Sequence, residues 1–112
     1  MKKFNQEQAC ELVDLVSPER FSTGQSNLEL HRRDISPHRG ELPAAVVWPE
    51  STEEISAILK WSYAQEVPVT PWGAGTSTEG NPVPAYGGLM IDMTRMNRIL
   101  SIRPQDLQTD VQ

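Results

Sequence analysis

At 112 residues the chain has room for one domain at most. An apolar share of 38% and a charged share of 22% suit a folded globular piece, and a net charge of −5 argues against a nucleic-acid-binding surface. The single cysteine excludes an intrachain disulfide and suits a reducing compartment, and no stretch is long and apolar enough to span a bilayer.

Met1-Lys2-Lys3 is basic, but no apolar run follows it, so it does not read as a secretory signal. A cytoplasmic location is the expectation, with peripheral membrane association of a longer parent compatible with it. Asn5 with Gln8 has capping-box spacing and opens a first helix. Ala9, Leu12, Val13 and Val16 give that helix one apolar face, and Pro18 ends it. Cys10 lies beside the face and reads as a packed or half-exposed residue rather than a reactive thiol. Residues 20–42 are polar and lack periodicity, so they read as a long irregular connection. Within it, His31-Arg32-Arg33-Asp34 reads as a solvated charge cluster with an Asp–Arg contact. His31 and His38 lack the spacing of a metal pair, and no metal site is expected.

Ala44 to Trp48 is a continuous apolar run between two prolines, which suits a strand buried on both faces. Ser51 with Glu54 has the spacing of a second capping box. Ile55, Ile58 and Leu59 then mark the buried face of a helix running to about Gln65. Val67 to Thr70 reads as the next strand, which makes a βαβ unit with parallel strands. Leu89 to Met93 is a third strand. Ile99 to Ile102 and Leu107 to Val111 follow, separated by the turn at residues 103–106. Met90, Met93 and Met96 read as core filler. The predicted class is α/β (α+β), a small parallel-rich sheet with a βαβ unit flanked by helices.

Between the second and third strands lies Pro71-Trp72-Gly73-Ala74-Gly75-Thr76-Ser77-Thr78-Glu79-Gly80. The alternate prolines 82 and 84 prevent a regular helix after it, so the glycines belong to a loop. Glycines can adopt positive φ and leave no Cβ in a ligand's way, and successive amides pointing one way form an anion-binding concavity. A Walker A loop is excluded because Asn81 stands where the lysine should be. A dinucleotide fingerprint of the Rossmann kind is excluded because Thr78 stands where the third glycine should be. On composition alone, a glycine-rich connection that binds nothing is equally open.

Three separated blocks together carry a resemblance. They are residues 43–49 with Ser51-Thr52-Glu53-Glu54-Ile55, the glycine loop, and Gly87-Gly88-Leu89 through Met96-Asn97-Arg98-Ile99-Leu100. In this order they resemble the first FAD-binding subdomain of the flavoproteins related to vanillyl-alcohol oxidase (the PCMH type). Within that group the chain is most similar to the D-lactate dehydrogenase and glycolate oxidase branch. The resemblance divides the chain into an N-terminal helix and irregular connection over 1–42 and a first FAD-binding subdomain over 43–112. In the family the last strand leads into a second FAD subdomain and then a substrate domain. The chain is therefore expected to be the N-terminal portion of a larger enzyme, a complete small protein being the alternative.

The resemblance implies oxidation of a small 2-hydroxy acid such as D-lactate or glycolate. A base removes the hydroxyl proton and hydride passes to the flavin, with base and substrate-carboxylate donors in the domain that follows. No residue here is a candidate catalytic acid, base or nucleophile. The diphosphate of FAD is assigned to Pro71, Trp72, Gly73, Ala74, Gly75, Thr76 and Ser77, with Gly80 allowing close approach. Relatives commonly carry arginine at the place of Trp72 and glycine at the place of Ala74. In covalently flavinylated members a histidine lies in the loop; none lies here, so the resemblance implies non-covalent FAD. Asp34-Ile35-Ser36 keeps an Asp-x-Ser of this branch, without the tyrosine that commonly precedes it. Two other readings stay open: a different flavoenzyme of the same fold, such as an ether-lipid synthase or a reductase of cell-wall precursor synthesis, and a non-catalytic nucleotide-binding module.

Overall fold

A computed structural model describes residues 4–112; the basic start Met1-Lys2-Lys3 lies outside them. The first helix, α1, spans Gln6–Val16, and its capping box is complete. The Gln8 amide donates to Asn5 Oδ1 at 2.7 Å, and the Asn5 amide donates to Gln8 Oε1 at 3.1 Å. Leu12 and Val16 are buried, while Cys10 is exposed.

The stretch read as an irregular connection is more ordered than expected. A short strand β1 (Phe21–Ser22) pairs antiparallel with the strand β2 (Ala45–Val47), and a short helix α2 (Gln25–Leu30) follows β1. Neither element is long enough to leave a periodic pattern. Leu28 is the one buried residue of α2, and Gly24 caps that helix without a side chain. What holds the region is Arg20. Its guanidinium is paired with the Glu54 carboxylate and donates to the carbonyls of Val16 and Trp48.

β2 is buried along its whole length, as the apolar run predicts. The helix α3 spans Thr52–Ala64. The Glu54 amide donates to Ser51 Oγ at 3.2 Å, but the reciprocal half of the expected capping box is missing. The Glu54 carboxylate instead accepts from Arg20 and from the Glu50 amide. Its hydrogen bond from Arg20 holds the Glu54 pKa below its ordinary value. On the buried face of α3, Ile58 is fully enclosed, whereas Leu59 is exposed, contrary to the sequence reading.

The next strands are β3 (Val69–Trp72) and β4 (Leu89–Asp92). The main sheet has the order β1-β2-β4-β3, with β2 and β3 both parallel to β4. The βαβ connection from β2 to β3 therefore leaves a place that β4 fills. The core lies on both faces of these strands. Leu12, Val16, Ala45, Val47, Ile58, Leu89 and Ile91 pack on one face, and Leu28, Val46, Trp72 and Met90 on the other. Residues from α1 and α2 thus share a core with the strands of the later segment.

Gly87 and Gly88 take positive φ at the entry to β4. A Cβ on Gly88 would collide with the Pro68 carbonyl, which accepts from the Leu89 amide at 2.8 Å. The last strands, β5 (Ile99–Arg103) and β6 (Gln108–Val111), form a separate antiparallel ribbon. No helix of the described residues is long and apolar enough to cross a membrane.

Candidate functional site

The structure moves the boundary of the glycine loop. Pro71 and Trp72 belong to β3, paired with Ile91 and Asp92, so the strand runs two residues beyond the predicted Thr70. The loop proper starts at Gly73, at the carboxyl end of a parallel strand, where open α/β sheets bind their ligands.

From Gly73 to Thr78, six consecutive amides donate to no acceptor among the described residues. The next two are tied down. The Glu79 amide donates to Ser77 Oγ at 3.2 Å, and the Gly80 amide donates to Asp34 Oδ2 at 2.9 Å. Gly73, Ala74, Thr76, Thr78 and Glu79 are exposed, while Gly75, Ser77 and Gly80 are half-buried. A run of unpaired main-chain donors at the surface is what a bound anion would satisfy.

The two glycines that open the loop are there for different reasons. Gly75 has φ +68°, and a Cβ on it would run into the Trp72 ring. Gly73 has no positive φ, and a Cβ on it would meet nothing within 4 Å. Nothing in the protein requires residue 73 to lack a side chain. The bare position leaves room beside the free amides that a Cβ would fill.

Trp72 lies at the base of the loop, largely buried, and borders the groove beside Ala74 and Gly75. It is 7% exposed and packs with Leu28, Val46 and Met90. Its ring lies 4.8 Å from that of His31, at an interplanar angle of 55°. It acts as the floor beneath Gly75. Pro71, by contrast, is exposed on β3.

His31 departs most from the solvated cluster read in the sequence. It is 1% exposed. Its Nδ1 lies 2.7 Å from the Asn27 carbonyl and its Nε2 lies 2.7 Å from Asp92 Oδ2. Both ring nitrogens thus face acceptors. Asp92 also accepts at Oδ1 from the Thr94 amide and hydroxyl, at 2.9 and 2.6 Å. Burial by itself would raise the Asp92 pKa, but the hydrogen bonds from His31 and Thr94 outweigh it and hold the carboxyl below its ordinary value.

Asp34 makes no Asp–Arg contact either. One oxygen accepts from the Ser36 amide at 2.8 Å and the other from Gly80. Desolvation pushes its pKa up. The bonds from Ser36 and from the Gly80 amide more than offset this, so the net shift is downward. Asp34 therefore bolts the far end of the glycine loop to the 31–40 segment. No periodic pattern announces a residue with this task; the nearby Asp-x-Ser was the one sequence signal pointing at it. Among the described residues, no group of three or more potential metal ligands is present.

The family model described as an FAD binding domain matches residues 43–112. The glycolate oxidase subunit GlcD of Bacillus subtilis is 34% identical over 102 residues, covering 91% of this chain and 22% of that protein. The D-2-hydroxyglutarate dehydrogenase of Stutzerimonas stutzeri is 32% identical over 96 residues, covering 86% of the chain and 21% of the relative. The mitochondrial D-lactate dehydrogenase (cytochrome) of Arabidopsis thaliana is 34% identical over 94 residues, covering 84% and 16%. The chain thus spans about a fifth of the length of these relatives. Among solved structures, an alkyldihydroxyacetonephosphate synthase superposes with a TM-score of 0.85 at 22% identity, covering 98% of this chain and 22% of that one. For p-cresol methylhydroxylase the values are 0.77, 18%, 88% and 20%. These likenesses establish the fold, a mixed α/β arrangement with a mostly parallel sheet. With the family model matching residues 43–112, more than half of its length, the chain belongs to the FAD-binding domain family, and its cofactor is FAD.

Proposed function

We propose that the loop from Gly73 to Ser77, with Gly80 closing it, cradles the diphosphate of FAD through main-chain N–H groups. The observation that carries this reading is the pairing of free amides with a bare position at Gly73 that protein packing does not explain. The residues present fit the group: the donors are neutral amides and hydroxyls, and the space above Gly73 is open. Thr76 and Ser77 add hydroxyl donors, while Pro71 and Trp72 shape the cradle from below. No histidine lies between residues 71 and 80, which suits non-covalent binding. We take residues 43–112 as the subdomain that holds the cofactor, with residues 4–42 adding the edge strand β1 and the helices packed on its sheet.

For the whole protein we infer oxidation of a small 2-hydroxy acid to the 2-oxo acid. Relatives named for glycolate, D-lactate and D-2-hydroxyglutarate support that class. FAD, when bound, supplies the two-electron acceptor; this chain's own residues hold and orient its phosphates. The proton acceptor and the substrate-carboxylate donors are assigned to sequence beyond this chain. Solved structures of other activities share the fold, so the class of substrate rests on the sequence relatives.

Gly73→Val in the full-length polypeptide should abolish FAD retention while leaving the melting temperature of the FAD-free protein unchanged. Visible flavin absorbance after purification reads the first quantity and thermal unfolding the second. Full retention of FAD by the variant would overturn the cradle assignment. Anaerobic addition of glycolate, D-lactate or D-2-hydroxyglutarate should bleach the flavin band of the parent; a band unchanged by all three would reject the substrate class.

A further inference from the structure

We propose that Arg33 supplies the positive charge that faces the FAD diphosphate, a role that rests on the cradle reading above. A diphosphate diester brings one negative charge on each phosphate. The loop from Gly73 to Gly80 contains no cation, and Glu79 adds a carboxylate to it. Amides alone would therefore have to balance the anion.

Beside the loop lies a groove of about 420 Å³. Trp72, Ala74 and Gly75 form one side, and from α2 and the segment that follows it is lined by Ser26, Glu29, Arg33 and Asp34 together with the apolar Leu30 and Ile35. Both carboxylates of the groove are already engaged. Asp34 accepts from the Ser36 and Gly80 amides. Glu29 accepts from Gln25 Nε2 at 3.2 Å and lies 3.5 Å from Arg32. Arg32 is engaged too, donating from Nε to the Gly40 carbonyl at 3.0 Å. Arg33 is exposed and forms no ion pair among the described residues.

A second observation points the same way. Arg32, Arg33 and Arg39 surround one small pocket with Glu29 as its single carboxylate. The local charge is positive in a chain whose net charge is −5. Like charges held together raise the local potential, and an arriving anion relieves it. Arg33 is the member of this cluster that also lines the groove of the glycine loop. A guanidinium presents a planar fork suited to phosphate oxygens.

The test is equilibrium binding of FAD and of riboflavin to the FAD-stripped full-length polypeptide, followed by flavin fluorescence at low and high salt. Arg33→Gln should weaken FAD roughly tenfold and flatten its salt dependence. It should leave riboflavin, which has no phosphate, unaffected. Arg33→Lys should recover part of the loss, and Arg39→Gln should have a smaller effect. Unchanged FAD affinity in Arg33→Gln, or an equal loss of FAD and riboflavin, would overturn the proposal. Arg33→Met keeps the aliphatic stem and carries the same expectation if the glutamine variant folds poorly. Gly73→Val run alongside separates the two readings. Loss of FAD there with full binding in Arg33→Gln rejects the arginine alone, and retention of FAD there rejects the cradle.

Discussion

The main sheet and the β5–β6 ribbon are built from similar apolar residues that meet opposite fates. In β2 and β4, Ala45, Val46, Val47, Leu89, Met90 and Ile91 are all buried. In the ribbon, Ile99, Leu100, Ile102 and Val111 are exposed, and Leu107 is 94% exposed at a left-handed turn. The sheet is sealed by helices whose own faces are apolar. The ribbon is held by cross-strand polar contacts, chiefly Arg103 to Asp110 at 2.8 and 3.0 Å and Thr109 Oγ1 to the Ser101 carbonyl at 2.7 Å. Two strands without a packed face are marginal by themselves. The lesson is that strand propensity marks where a strand forms, and only a partner surface decides whether it contributes to a core. The glycine loop belongs to the sealed half, so its amides are held on a rigid platform.

That contrast is open to attack by substitution. Leu89→Ala should cost about 3 kcal/mol in chemical denaturation, because the fully enclosed side chain leaves a cavity. Leu100→Ala in the ribbon should cost less than about 0.5 kcal/mol. Equal losses would mean that the ribbon is packed after all. Gly75→Val should cost about 2 kcal/mol through backbone strain at positive φ, with a further loss from displacing Trp72. The same variant should lose FAD, so it reports on platform and cradle together. Gly73→Val reports on the cradle alone.

Asp92→Asn tests the buried polar link between the two halves of the site. It should cost about 2 kcal/mol by weakening the partner of an enclosed His31. Its pH dependence has a definite sign. Because Asp92 and Glu54 both titrate below their ordinary values of 3.8 and 4.5, the folded state binds fewer protons than the unfolded one in that range. Their stabilisation is complete above those values and fades as pH falls through the lowered ones. Melting temperature against pH should drop on the acid side, and Asp92→Asn should flatten that limb. The smallest effect expected within the site is that of Asp34→Ala. Removing the acceptor for the Gly80 amide should cost about 1 kcal/mol and speed amide exchange at Gly80. Exchange at the parental rate would remove Asp34 from its role as the bolt of the loop.

Much of the fold was legible because it depends on local rules. The α1 capping box, the buried run of β2, the amphipathic α3 and the turn before β6 each announce themselves within a few residues. Asn5, Ser51 and the prolines 43 and 49 mark boundaries through hydrogen bonding and steric exclusion. The glycine loop was legible too, because its composition and its proline-bounded exit exclude a helix. Residues 20–42 were not. β1 is two residues long and α2 six, and both exist because Arg20 and Leu28 find partners far along the chain.

By itself, then, the sequence determined α1, α3, the strands from β2 onward and the glycine-rich loop after β3, since propensity, capping and glycine spacing act over short distances. Only the tertiary structure decided that β4 would lie between β2 and β3, that Trp72 would lie under Gly75, and that His31 would be buried against Asp92. It also decided that Asp34 would hold Gly80 and that Arg33 would border the loop. Those pairings join residues as much as 61 positions apart, and contacts of that separation arise from packing that no local pattern encodes.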